Sequence, residues 1–297
     1  MSEPDALLPP IENATFLTGA TASGKTALGV RLARELDAEI ISLDSIAIYR
    51  GMDIGSAKPT LAEREGIAHH LIDIVDPWEE YSIALYLKAA SQAAREIRRR
   101  GKNVLFVGGT PLWLKGCLYG LFEGPAADSA FRLAMDALEK ERPGALYERL
   151  QSVDPVSAAR LHPNDRRRLI RALEVYEITG RPISEFQKQF DAPPKARGNR
   201  LLILTRPRAE LYDRINRRVD AMREAGFLDE VRRLLQLERP LSRTALSGVG
   251  YRELIEVAEG RTEPDAAFEA IKISTRHFAK RQETWFRSFP DAEIITP

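Results

Sequence analysis

Apolar residues fall in short continuous runs at 14–18, 39–43, 103–107, 201–205 and 293–296, and between them they recur every three or four positions. Unbroken runs of this length predict strands buried on both faces, and the wider spacing predicts helices. Leu28, Leu32 and Leu36 mark one helix over 24–36, and a longer helix is predicted over 83–100. Strands alternating with helices imply a parallel sheet covered on both faces. From 122 to 198 the strand signal is lost, and helical stretches such as 130–140 and 166–179 are punctuated by Pro143, Pro155 and Pro163. The expected organisation is a discontinuous α/β core of residues 11–121 and 199–297 around an all-helical insertion, 122–198. A loop is expected at 191–199, around Pro193, Pro194 and Gly198, and residues 1–10 are expected to be a loose lead-in.

The strongest chemical signal is Gly19-Ala20-Thr21-Ala22-Ser23-Gly24-Lys25-Thr26, set between the first predicted strand and the first predicted helix. In this pattern the glycines let backbone amides face one concavity and the helix N-terminus adds positive potential. Lys25 supplies a point charge, and the Thr26 hydroxyl is a candidate Mg²⁺ ligand. The fold class is therefore a P-loop NTPase-like parallel sheet flanked by helices. A hydrolytic member would close a later strand with an acid, but Val104–Val107 runs into Gly108-Gly109-Thr110. Asp44, at the end of the second strand, belongs at the ligand crevice and is the candidate general base. The alternative for Asp44 is a capping or second-shell structural role.

Composition adds limits. With 44% hydrophobic and 29% charged residues the chain is of the ordinary soluble globular class. Its single cysteine, Cys117, cannot form an intramolecular disulfide, and no long apolar run predicts a membrane span or a secretory signal. The expected location is the cytoplasm. A net charge of +1 conceals an uneven distribution, because residues 160–218 hold 15 basic against 7 acidic residues. Together with the basic helix at 276–287, this favours a polyanionic partner over a plain solvated face. His69 and His70 precede an apolar run without a metal-ligand cluster and read as structural or solvent-facing.

The ordered blocks GATASGKT (19–26), DSIAIYRGMDIGSAKP (44–59), VGGTPLWLKG (107–116), HPNDRRRLIRALEVYEITGRPIS (162–184), LYDRINRRVDAM (211–222), GVGYRE (248–253) and STRHFAKRQETWFR (274–287) resemble the bacterial tRNA dimethylallyltransferases. The resemblance covers nearly the whole chain. It implies that the P-loop holds the diphosphate of dimethylallyl diphosphate. The acceptor it implies is the exocyclic amine of the adenosine beside the anticodon, on its 3′ side, flipped from the anticodon stem-loop of tRNA. Asp44 would be the base, with Thr110 and Arg218 assisting diphosphate departure and acceptor placement; Arg217 is the neighbour a shifted alignment would select. The tRNA contacts it implies are Asp44, Ser45, Ile46, Ala47, Thr110, Arg132, Asn164, Asp165, Arg166, Arg167 and Arg168. A second group is Ser247, Gly248, Val249, Gly250, Tyr251 and Arg252, followed by Lys280, Arg281, Gln282, Glu283, Thr284, Trp285, Phe286 and Arg287. Two departures from the family pattern are Ala20, where proline is frequent, and Ile46-Ala47, where an arginine or glutamine is frequent. A monomer is expected. From the motif alone a small-molecule kinase, a prenyltransferase acting on free adenylate and a non-catalytic RNA-binding switch remain alternatives.

Overall fold

The computed structural model describes residues 7–187 and 197–296; the start of the lead-in and most of the loop expected at 191–199 lie outside the described residues. The chain divides into two compact units, Ile11–Lys115 with Ala196–Pro297 and Met1–Pro10 with Gly116–Lys195. The strands are β1 (Leu7–Leu8), β2 (Thr15–Gly19), β3 (Ala38–Leu43), β4 (His69–His70), β5 (Asn103–Gly108), β6 (Leu121–Phe122), β7 (Arg200–Leu204) and β8 (Glu293–Ile295).

Six of them form one sheet in the order β4-β3-β5-β2-β7-β8, with every pairing parallel. The two-residue period of the strands sorts its faces. Phe16 and Phe106 lie opposite each other on one face and stack with centroids 4.7 Å apart. Leu17, Ile40 and Leu105 occupy the other, packed with Val30 and Ala33 of the helix Lys25–Glu35. Burying each such aliphatic side chain contributes about 1.5–3 kcal/mol. Ser42 follows Ile40 on the helix-facing side, and Asp44 continues the same alternation just past the end of β3. Gly108 closes β5 where a side chain has no room, because a Cβ there would lie 2.2 Å from the Leu43 carbonyl oxygen.

The edge strand β4 was not legible in the sequence. His69 and His70 pair with Ile40 and Ile41, and Leu71 and Asp73 then turn the chain with φ of 60° and 58°. Beyond β3 the loop at 51–59 is organised by two buried charges. The Glu230 carboxylate, 1% exposed, accepts from the amides of Asp53, Ile54 and Gly55 at 2.7–3.1 Å and from the Tyr251 hydroxyl at 2.9 Å. Lys58 donates to the Tyr49 carbonyl, Asp53 and Asp73.

The second unit is built from the helices Ser129–Glu141, Ala145–Val153, Pro155–Arg160, Arg166–Thr179 and Ile183–Phe186. Met135, Leu146, Leu150, Leu169, Ile170 and Leu173 form its core. Asp128 and Asp154 cap their helices by accepting from Phe131 N–H and Ser157 N–H, and Gly180, at φ 70°, ends the longest one. Leu7–Leu8, expected in a loose lead-in, instead pair antiparallel with Leu121–Phe122. Both residues gain a ladder partner there and Leu8 is half-buried, although Leu7 stays exposed, and a short run beside prolines did not advertise the pairing.

Glu230→Ala strands three backbone donors and a phenol in the interior, at about 1–3 kcal/mol for each group that water fails to reach. A loss of about 3 kcal/mol or more in urea unfolding is expected. A variant within 1 kcal/mol of the parent would show that the carboxylate does not organise this loop.

Candidate active site

The residues of the glycine-rich loop adopt the conformations that anion binding requires. Ala22 sits at φ 62° and Gly24 at φ 100°, so the chain turns twice into the left-handed region before the helix Lys25–Glu35 begins. The first amides of that helix have no intrahelical acceptor and remain donors for a ligand. Outward-turned carbonyls are held by cations: Arg214 Nε donates to Ala22 O at 2.7 Å, and Arg206 Nε donates to Ser23 O at 2.6 Å. Gln282 reaches in from the helix Pro264–Phe286, accepting from Thr21 N–H at 2.8 Å and donating to Gly109 O at 2.6 Å.

This loop forms one wall of a cavity of about 630 Å³. Lys25, Thr26, Asp44, Thr110, Arg217 and Arg218 all line it, so the site residues expected from β2, β3, β5 and the helix Arg208–Glu224 are brought together. Asp44 Oδ1 accepts from the amides of Ile46 and Ala47 at 2.9 and 3.2 Å. The capping role and the cavity position thus coexist, and Oδ2 takes no part in the turn. Thr110 Oγ1 accepts from Ser45 N–H at 3.1 Å, tying the β5 loop to the residue after Asp44.

The electrostatics are those of an anion site. Lys25 donates to Ala20 O at 2.7 Å, yet burial first and then Arg218, with Asp44 opposing, bring its pKa from 10.5 down to about 7. Burial also lowers Arg218, while Asp44 and Glu63 raise it. Arg217 is exposed and makes a long 3.5 Å contact with Asp213 O, so of the two neighbours Arg218 is the one coupled to Lys25 and Asp44. Because Lys25 is depressed in the folded state, its charging costs stability below about pH 7, and the cost is relieved as pH rises from there towards 10.5.

Several expected contacts are placed differently. Tyr251 is fully buried, with its hydroxyl on Glu230, and Phe286, 3% exposed, is a core side chain; neither ring faces a ligand. Gln282 is also 3% exposed and is committed to the two loops. Ser45, Ile46, Ala47, Ser247, Gly248 and Val249 line the cavity, Ala47 and Gly248 as buried parts of its wall, whereas Gly250 is buried behind it. Arg252, Lys280, Arg281, Thr284 and Arg287 are exposed, and Glu283 and Trp285 are half-buried. In the helical unit Arg132 makes a bidentate pair with the buried Glu174, and Arg166 pairs with Asp136. Asn164, Arg167 and Arg168 are exposed, and Asp165 caps their helix by accepting from Arg168 N–H.

His69, expected to be structural or solvent-facing, pairs within the sheet and also lines the cavity. Its Nδ1 lies 2.9 Å from Ile67 O, and burial lowers its pKa. His70 instead bonds Glu39, which also binds Arg100. Cys117 is buried and its thiol is pushed up in pKa, an inert core residue.

Comparison with known proteins identifies the family. Residues 47–289 match the IPP transferase family model, and residues 12–74 match the isopentenyl transferase model. The chain is 49% identical over 292 residues to the tRNA dimethylallyltransferase of Rhodopirellula baltica, covering 95% of this chain and 87% of that one. Among solved structures, the tRNA isopentenylpyrophosphate transferase of Bacillus halodurans superposes with a TM-score of 0.70 at 38% identity, over 96% of this chain and 90% of that one. A eukaryotic dimethylallyltransferase acting on tRNA gives 0.79 at 30% identity, over 96% and 74%. These relatives do not favour the kinase and free-adenylate alternatives. With sequence and fold in agreement over nearly its whole length, the chain belongs to the IPP transferase family, among the tRNA dimethylallyltransferases.

Proposed function

We propose that this protein transfers the dimethylallyl group of dimethylallyl diphosphate to the exocyclic amine of the adenosine 3′-adjacent to the anticodon in tRNA, releasing diphosphate. The observation that carries the reading is one cavity lined at once by a phosphate loop, Lys25, Arg218, Asp44 and Thr110. In the reaction the bond from the allylic carbon to the diphosphate oxygen breaks and a carbon–nitrogen bond forms. Asp44 Oδ2 takes the amine proton, and the electron pair of the broken bond leaves on diphosphate. Loop amides, Lys25 and Arg218 stabilise the charge that grows on the leaving group, and they act most where that charge develops. Thr110 holds the turn that carries Asp44 and presents its hydroxyl to the same space.

The apolar lining supplied by Ile40, Ile72, Val107, Val219, Met222 and Ile271 is suited to a five-carbon tail. No group of three or more metal-ligating side chains occurs among the described residues. A divalent ion, which we take to be Mg²⁺, fits this site through the exposed Thr26 hydroxyl and the diphosphate oxygens together, where it would neutralise leaving-group charge. Residues 122–198 serve, in this reading, as the tRNA-binding insertion, with exposed Arg167 and Arg168 on the RNA backbone and Lys280 to Arg287 as a second contact. Among the described residues no helix is long and apolar enough to cross a membrane. We take the working unit to be a cytoplasmic monomer.

Asp44→Asn retains an oxygen to cap Ile46 and Ala47 and removes only the base. Turnover is expected to fall about 10²–10⁴-fold with tRNA affinity within twofold. Single-turnover transfer followed by nucleoside mass analysis measures this, and a parallel loss of binding would return Asp44 to a purely structural role.

Arg167→Ala removes one exposed cation. The slope of log affinity against log salt should fall by about one, uniformly across tRNAs. An unchanged slope in filter binding would mark this helix face as merely solvated.

Bound diphosphate raises the pKa of Lys25 above its free value of about 7. Diphosphate affinity is therefore fully developed below pH 7 and weakens as pH rises through that value, by up to about tenfold per unit. Calorimetry from pH 6.5 to 9 on the parent and Lys25→Arg separates this from the ligand's own ionisation. Parallel profiles for the two proteins would remove Lys25 as the coupled group.

A further inference from the structure

The helix Pro264–Phe286 presents two chemistries on opposite sides. Lys280, Arg281 and Thr284 are exposed, while Ala279, Gln282 and Phe286 are buried. Gln282 is the polar member of that inner face, and both ends of its amide bond residues far away in sequence. Its oxygen accepts from Thr21 N–H in the phosphate loop, 261 positions distant. Its nitrogen donates to Gly109 O, 173 positions distant. The orientation of the amide is fixed by its partners, since a backbone N–H only donates and a carbonyl only accepts.

The surroundings show that the contact is built. A Cβ on Gly109 would lie 2.7 Å from Gln282 Nε2 and 3.7 Å from Lys25 Nζ, so the amide occupies space that glycine leaves open beside the phosphate-binding lysine. The next residue is Thr110, whose hydroxyl accepts from Ser45 N–H beside Asp44. One side chain therefore joins the loop that receives the leaving group to the loop that positions the base. It also claims Thr21 N–H, so the amides left to meet the diphosphate begin farther along the loop.

We propose that Gln282 is a positioning residue for the transfer reaction. It sets the spacing between the phosphate loop and the Gly109-Thr110 loop, and it does not contact RNA. Through it, the helix whose outer side carries Lys280 and Arg281 is anchored to the diphosphate cradle. The kinetic part of this proposal rests on the transfer reading given above, whereas the diphosphate-binding part does not.

The test compares the parent with Gln282→Met, which keeps the length of the side chain and removes both hydrogen bonds, and with Gly109→Ala, whose methyl displaces the amide. Inorganic diphosphate affinity is read by calorimetry, tRNA affinity and its salt slope by filter binding, donor KM and kcat by steady-state transfer, and folding by thermal unfolding. Either folded variant is expected to weaken diphosphate binding and raise donor KM by about tenfold, with a lower kcat. The tRNA affinity and salt slope should stay within twofold. A loss of tRNA affinity with unchanged diphosphate affinity would make Gln282 an RNA contact, and unchanged values throughout would leave it without a role; both overturn the proposal. Should Gln282→Met not fold, a folded Gly109→Ala with parental diphosphate affinity overturns it equally. If the parent binds diphosphate but transfers nothing to tRNA, the reaction reading fails while the binding result still decides the role of Gln282.

Discussion

Lys25 and Arg218 place two positive charges in one cavity, coupled to each other and to Asp44. Much of the surrounding structure follows from that unfavourable arrangement. Burial disfavours the charged form of both groups, and Arg218 adds to the depression of Lys25. An anion with several oxygens reverses the sign of the problem, since each cation then gains a partner. The cavity is in this sense complementary to a diphosphate more than to its own empty state, as expected of a preorganised electrostatic site.

Preorganisation needs stiff loops, and here the stiffness comes from buried polar groups with their partners satisfied. Arg206 and Arg214 hold the outer carbonyls of the phosphate loop, and Gln282 holds one of its amides. Glu230 fixes three successive amides of the loop at 53–55 and, through Tyr251, the start of the helix that follows the cavity-lining segment Ser247–Val249. Each network would be costly if half made, which makes the loop geometry sharply defined once all of it is made. The parallel sheet supplies the common base, because Asp44, Thr110 and the phosphate loop all leave it at the carboxyl ends of β3, β5 and β2.

What was legible in the sequence is what short-range rules control. The phosphate loop is eight consecutive residues whose conformations follow from their own types, and Asp44 follows from its place at the carboxyl end of a predicted strand. The helices at 25–35, 83–99 and 166–179 follow from their apolar spacing and flanking breakers. Gln282, Glu230 and Arg214 were not assigned these roles, because each acts on a loop distant in sequence and nothing around it locally marks it out. His69 escaped for a related reason. A two-residue edge strand has too little pattern to be seen, and its side chain reaches the cavity only because β4 pairs with β3. Leu7–Leu8 was missed in the same way, its partner strand lying more than a hundred residues away.

The basic segment illustrates the difference between counting charges and locating them. By composition residues 160–218 carry a clear excess of cations, which favoured a polyanionic partner for the segment as a whole. In the structure Arg171 joins Arg132 on Glu174, Arg166 faces Asp136, Arg206 faces Glu210, and Arg214 braces the phosphate loop. Arg171, held on the buried Glu174, gives little to a phosphate backbone, because engaging it there would strand the acid in the interior, while Arg214 is already spent on the Ala22 carbonyl. The charge that RNA can meet is therefore concentrated on fewer side chains than the count implies, among them Arg167 on its helix and Lys280 and Arg281 on theirs. On the proposed reading, shape and a few well-placed contacts, more than total charge, would carry the discrimination among RNAs, because single-stranded loops are read by splayed bases and local contacts.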